Sequence, residues 1–199
     1  MVSVSTCFDM ANGLKEGLRA LLAGLGTVIA LPALALSVWG RSDEGFVWGG
    51  QALALVPGAV GNAARAAFYG RTLALFEPGA TIHFGSYFSK RGARVSAGAG
   101  IGAYCIIGLV DLGPRVRVAS RVSITSGLHY HGSAACGVGG RDVVERVTIG
   151  ANTWIGEAAV VGANVGANCI VGMGSVVVQP VPDDSTVLGN PARRIPSAA

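Results

Sequence analysis

The sequence predicts a mainly β chain: a three-sided solenoid of short parallel strands (residues 78–199) behind a hydrophobic helical region (residues 1–77). Three observations predict it. Aliphatic residues recur every six positions through the second half of the chain. A Gly, Ala or Asn follows most of them. The texture also changes near residue 78, from rich in Ala and Leu to rich in Val, Ile and Gly. A helix needs a period of 3.6 and a half-buried strand a period of 2, and neither fits the second half. The hydrophobic share of 51% against 13% charged residues excludes a disordered chain. The net charge is only +4, and no Lys/Arg cluster with interleaved aromatics occurs, which argues against a nucleic-acid partner. No two of the four Cys form a CxxC, so zinc-ribbon and redox readings fail.

The helical region reads as three segments. Residues 14–39 are apolar almost all round, with Lys15 and Arg19 before an uncharged run over 20–39 and Arg41 after it. That run is long enough to span a bilayer. Pro32, Gly24 and Gly26 favour a bent element. Residues 46–60 form a second uncharged run, broken at Gly49-Gly50 and Pro57-Gly58, and residues 62–76 are amphipathic and basic, with Arg65 and Arg71. A single span would place the two ends of the chain on opposite sides of a membrane. Two readings remain: a re-entrant or hairpin pair over 20–60, or helices that lie on the membrane surface or cap the open end of the solenoid.

The solenoid then unrolls in units of six. Ile101 and Ile107 form one series; Leu112, Val118 and Ile124 a second; Ile149, Ile155 and Val161 a third; Val165, Val171 and Val177 a fourth. Each aliphatic residue points to the axis, and the small residue after it takes a corner where positive φ is cheap. The fifth position of each unit is small or β-branched: Cys105, Val122, Thr153, Ala159, Cys169, Ser175. The phase slips between Ile107 and Leu112. It slips again between Val161 and Val165, where the unit shrinks to four residues. Residues 128–146 break the period altogether and read as a loop extruded from one corner, opening with His129 and His131. The Pro-rich tail over 180–196 would cover the far end.

These residues resemble the hexapeptide-repeat acyltransferases, whose fold is a left-handed parallel β-helix. The resemblance covers about residues 78–195 and is most specific over VTIGANTWIGEAAVVGANVGANCIVGMGSVVVQPVPDDSTVLGNPARRI (147–195). FYGRTL, FGSYFS and VSITSGLHYHG, between residues 68 and 132, look closest to bacterial polysaccharide O-acetyltransferases. The resemblance implies an acetyl-CoA-dependent transfer to a sugar hydroxyl of a surface or extracellular polysaccharide, or of its lipid-linked precursor. It implies a homotrimer with no metal, and the apolar runs over 20–60 together with the use of acetyl-CoA put the chain at the cytoplasmic face of the inner membrane. His129 falls where the maltose-type enzymes place their general base, and His131 where some polysaccharide relatives carry it. Asp142 and Glu145 are the nearest acids and could orient an imidazole, or could be ordinary solvated loop residues. Trp154 would line the acceptor or acetyl pocket. Ala159, Gly174 and Ser175 would contact the pantetheine arm of the cofactor, and Arg193 and Arg194 its phosphates. Relatives carry two more residues between Val161 and Val165, so the pocket there is altered and a longer acyl donor stays open. Two other readings stand beside this one: a non-catalytic β-helix scaffold or membrane-attached interaction module, and a serine-acetyltransferase-like enzyme.

Overall fold

The computed structural model describes residues 4–38, 43–128, 132–133, 137–138 and 143–195, with side chains over 13–38, 43–128 and 143–195. Three helices come first: α1 (Val4–Val38), α2 (Glu44–Ala54) and α3 (Gly58–Thr72). Strands of two or three residues follow, three to a coil. The first coil holds β1 (Leu75–Phe76), β2 (Thr81–Ile82) and β3 (Tyr87–Phe88). The second holds β4 (Arg94–Val95), β5 (Gly100–Ile101) and β6 (Ile106–Ile107). The third holds β7 (Val110–Leu112), β8 (Arg117–Val118) and β9 (Ser123–Ile124). The short antiparallel pair β10 (Gly132–Ser133) and β11 (Gly137–Val138) belongs to the extruded loop. The solenoid resumes with β12 (Val147–Ile149), β13 (Trp154–Ile155) and β14 (Val160–Val161). It continues through β15 (Ile170–Val171), β16 (Val176–Val177) and β17 (Thr186–Leu188), and β18 (Arg193–Ile195) ends it.

Equivalent strands stack in parallel as three faces. The first face runs β1-β4-β7-β12 and continues as single bridges at Val165 and Val181. The second runs β2-β5-β8-β13-β15-β17, and the third β3-β6-β9-β14-β16. Every aliphatic residue of the four predicted series is buried in the axis. Each such side chain contributes roughly 1.5–3 kcal/mol of transfer free energy. The predicted fifth positions are buried as well, and their hydroxyls join consecutive coils. Thr153 Oγ1 donates to the Gly166 carbonyl at 2.7 Å and accepts from the Cys169 N–H at 3.0 Å.

The corners differ from the expectation. The residue with positive φ stands three after the inward aliphatic, not immediately after it, and at several corners it is not glycine: Tyr104, Arg115, Arg121, Asn152, Ala158, Asn168 and Asp184. The glycine directly after the aliphatic answers a different demand. A Cβ on Gly150 would meet Ala167 N at 2.3 Å, and one on Gly156 would meet Met173 N at 2.6 Å. Those glycines let one coil lie on the next. Asn and Asp at the first-to-second-face corner accept the left-handed backbone and also bond along the stack: Asn152 Nδ2 to Asn168 Oδ1 at 3.1 Å, Asn168 Nδ2 to Asp184 Oδ1 at 3.0 Å.

Both ends are closed. α2 and α3 pack on the strands of the first coil, and α1 packs on α2 and α3. Phe46, Phe68, Tyr69 and Phe88 form one aromatic cluster across that junction. Arg65, read from the sequence as part of a basic amphipathic surface, is fully buried instead. Its guanidinium donates to the carbonyls of Ile82, Leu53 and Val56 and to Asn62 Oδ1. At the other end β18 turns back antiparallel on β17 and covers the last edge of the second face. α1 runs on through Pro32 as one helix.

Candidate active site

The corner between the third and first faces positions the site. At the other two corners the chain takes a regular six-residue step. Here the step is only four residues, from Val161 to Val165, and the same shortening recurs one coil later between Val177 and Val181, where the bridges Ile149↔Val165 and Val165↔Val181 replace strands. The sequence signalled the first shortening, and the structure shows that the second stacks on it. The recess left by the two short steps lies directly beside the roots of the extruded loop. It is a cleft of about 350 Å³, bordered by Gly127, Leu128 and Glu145 at the loop and by Gly162, Asn164 and Gln179 at the short corners.

The loop leaves and re-enters in a narrow gap. The Glu145 N–H donates to the Ser126 carbonyl at 2.9 Å, which ties the two roots together. Gly127 has φ +89, and a Cβ there would meet Glu145 Cβ at 2.6 Å, so only glycine lets the roots approach. Leu128 lies over Gly162, whose added Cβ would meet Leu128 Cδ2 at 2.4 Å. Arg146 is tied to Asp111 and to the Gly92 carbonyl, the latter at 2.9 Å, which fixes the second root to the first face. At the short corner the N–H groups of Ala163 and Asn164 find no acceptor among the described residues. Sequence reasoning named neither; their signal was the missing pair of residues beside them.

The predicted site residues divide into three groups. Glu145 lines the cleft. His129, His131 and Asp142 lie outside the described residues, and the last described residue before them is Leu128, on the cleft rim. The others sit elsewhere on this chain. Trp154 projects from the second face between Arg117 and Ile170, half-exposed. Gly174 is an exposed corner between the second and third faces, at φ +67 with open space where a side chain would stand. Ala159 and Ser175 are buried. Their N–H groups donate to the Gly156 and Gly172 carbonyls, and the Ser175 hydroxyl accepts from the Gly189 N–H. Arg193 and Arg194 are exposed on β18, paired with Leu188 and Val187. Around Trp154 and Gly174 the outward positions carry exposed apolar side chains, Val160, Ile170, Met173 and Leu188, and Tyr104 and Ile106 stand exposed two coils nearer the helices.

Comparison with known proteins places this geometry. No family model matches the chain. The bifunctional protein GlmU of Acidiphilium cryptum (strain JF-5) is 32% identical over 108 residues, 53% of this chain and 22% of that protein. The chain spans 22–26% of the length of the curated relatives it matches. Among solved structures, a hexapeptide-repeat-containing acetyltransferase of Vibrio cholerae O1 biovar eltor, complexed with acetyl coenzyme A, aligns with a TM-score of 0.51 at 19% identity, over 89% of this chain and 87% of that one. A mutant of AntD, an N-acyltransferase from Bacillus cereus bound to dTDP-4-amino-4,6-dideoxyglucose and coenzyme A, aligns with a TM-score of 0.51 at 18% identity, over 63% of this chain and 76% of that one. At these identities the likeness is one of fold. The chain therefore has the fold of these acyltransferases, a parallel β-helix, built here from six-residue repeats.

Proposed function

We propose that the chain is an acetyl-CoA-dependent acyltransferase that acetylates a sugar hydroxyl of a polysaccharide or its lipid-linked precursor. One observation carries the reading: the cleft beside the loop roots, opened by two stacked short corners, has Leu128 on its rim and His129 as the next residue. In the proposed step an imidazole of His129 or His131 takes the hydroxyl proton as the sugar oxygen attacks the thioester carbonyl. The tetrahedral oxyanion accepts hydrogen bonds from the Ala163 and Asn164 N–H groups. It collapses by expelling the coenzyme A thiolate, which takes the proton back from the imidazolium. Glu145, which lines the cleft, and Asp142 are the acids assigned in this reading to orient the imidazole. Gly174, Arg193 and Arg194 keep their proposed role toward the cofactor, as does Trp154 toward the acceptor. Ala159 and Ser175 could meet the pantetheine arm only past backbone groups already bonded within their coils.

A homotrimer completes the site in this reading. Trp154, Gly174 and the arginines stand on different faces from the cleft, and exposed apolar side chains surround them, which supports a site shared between subunits. The chain would work at the cytoplasmic face of the inner membrane. α1 supports this: its span Gly13–Val38 is long and apolar enough to cross a membrane, with only 22% of its most apolar window buried. Leu18, Leu21, Leu25 and Val28 form an exposed row on it. α1 packs lengthwise on α3, so we read it as lying on the surface.

Coenzyme A thiol release from acetyl-CoA, measured over a panel of sugars with wild type, His129→Ala and His131→Ala, tests the transfer. Loss of turnover in one variant with acetyl-CoA binding retained is expected. Equal turnover in both variants and wild type would remove the His base, and absence of acetyl-CoA binding would favour the scaffold reading.

A further inference from the structure

Beside the contact between α1 and α3 runs a groove of about 320 Å³, remote in sequence from the cleft. Leu22 and Ala23 of α1 and Ala63 and Ala67 of α3 make its floor, and Arg19 and Arg71 border it; no acid lines it. The helices touch at Gly26, where a Cβ would meet the Ala63 carbonyl carbon at 2.6 Å. The alanines of α3 leave the space alongside that contact unfilled. Arg71 Nη1 donates to the Ala67 carbonyl at 2.7 Å, which holds its guanidinium over the last turn of α3. Neither Arg19 nor Arg71 pairs with a carboxylate among the described residues.

We propose that this groove binds one anionic membrane phospholipid, its phosphate held by Arg19 and Arg71 and the first part of an acyl chain laid on the alanine floor. Charge complementarity selects the occupant. Two arginines that pair with no carboxylate among the described residues favour an anionic headgroup over a zwitterionic one, and the apolar floor calls for a chain that free phosphate lacks. The proposal rests on the membrane-surface reading of α1 and adds a specific lipid site to it.

The test titrates the purified full chain with monomeric dioctanoyl phosphatidylglycerol, dioctanoyl phosphatidylcholine and inorganic phosphate, each followed by calorimetry. Phosphatidylglycerol is expected to bind at least about tenfold tighter than phosphatidylcholine, with no competition from phosphate. Arg19→Gln/Arg71→Gln should weaken it roughly 20-fold. Ala67→Leu, which fills the groove and keeps both charges, should weaken it as much. Arg94→Gln/Arg115→Gln, which removes two cations from the β-helix, should leave it unchanged. Equal binding of the two lipids, competition by phosphate alone, or full affinity in a folded Arg19→Gln/Arg71→Gln variant would overturn the proposal. If that variant does not fold, Ala67→Leu and the two-lipid comparison on wild type decide. Flotation with mixed phosphatidylcholine and phosphatidylglycerol vesicles reads the surface docking separately. Leu21→Glu/Leu25→Glu should abolish flotation while binding of the short-chain lipid persists, so failure of the surface reading is distinguishable from failure of the groove.

Discussion

Two residues at the junction of helices and solenoid hold more of the fold than their types suggest. Arg65 is a buried cation with no buried anion among the described residues. Three backbone carbonyls, from α2, from the turn after it and from the first coil, receive its guanidinium, together with Asn62. Burial lowers its pKa, yet it remains charged at any physiological pH. Arg65→Met removes those donors and strands the carbonyls, so it should cost about 3–5 kcal/mol, read as a drop in the urea midpoint. A loss below about 1 kcal/mol would mean that water or a neighbour takes over the carbonyls. Tyr69 sits beside it, buried, accepting from the Phe88 N–H at 3.2 Å. Burial pushes its phenol above the ordinary value, so the folded state holds this proton more tightly than the unfolded chain does. That contribution to stability is complete below the ordinary phenol range near pH 10 and is lost as pH rises through it toward the folded value. Tyr69→Phe should therefore flatten the alkaline arm of a stability-against-pH curve. An unchanged arm would assign it to other groups.

At the scale of the coil, two neighbouring small residues make opposite demands. Gly156 follows an inward Ile and lies against the next coil; Ala158, at the corner, carries φ +58. Gly156→Ala forces a methyl toward Met173 N and should cost about 1–3 kcal/mol. Ala158→Gly relieves a left-handed alanine and should gain up to about 1 kcal/mol, less what the freer unfolded chain takes back. Thermal melts of the two variants check both signs; a shift of the same sign in both would refute the division of labour. This division was not legible in the sequence. The six-residue period was, because the axis admits only side chains that fill it, and Ile149, Ile155 and Val161 announce themselves. Which residue of a unit turns the chain depends on backbone angles that the period does not encode, so the conspicuous glycine took the credit due to Asn152 or Ala158. The loop was legible at Leu128 because it interrupts a strict repeat. The double shortening was half legible: Val161 to Val165 stood out, whereas the same step from Val177 to Val181 hid in a Pro-rich stretch that reads as tail. The burial of Arg65 was beyond reach, since an arginine on a short amphipathic helix has the same pattern whether its outer face meets water or a neighbouring coil.

For the whole molecule, the placement of the site residues poses one question. The cleft lies between the third and first faces, while Trp154, Gly174, Arg193 and Arg194 belong to the second face and its far corner. A three-sided prism keeps such groups apart, because its axis is filled with aliphatic side chains and nothing crosses it. On the proposed roles, therefore, one chain cannot bring an acceptor held at Trp154 to a base beside Leu128. A second copy can, if its second face meets the first copy's cleft, and a head-to-tail contact of that kind repeats around a closed ring. This arrangement predicts complementation. Chains carrying His129→Ala/His131→Ala and chains carrying Trp154→Ala/Arg193→Ala/Arg194→Ala should each be nearly inactive alone. Co-expressed in equal amounts, they form mixed rings in which one contact in four joins an intact cleft to an intact second face, so activity should return to roughly a quarter of wild type. The return should require co-assembly: mixing the purified proteins without dissociating them should restore nothing. Complete absence of recovery in verified mixed oligomers would place the whole reaction within one chain and leave the second face as a surface for assembly alone.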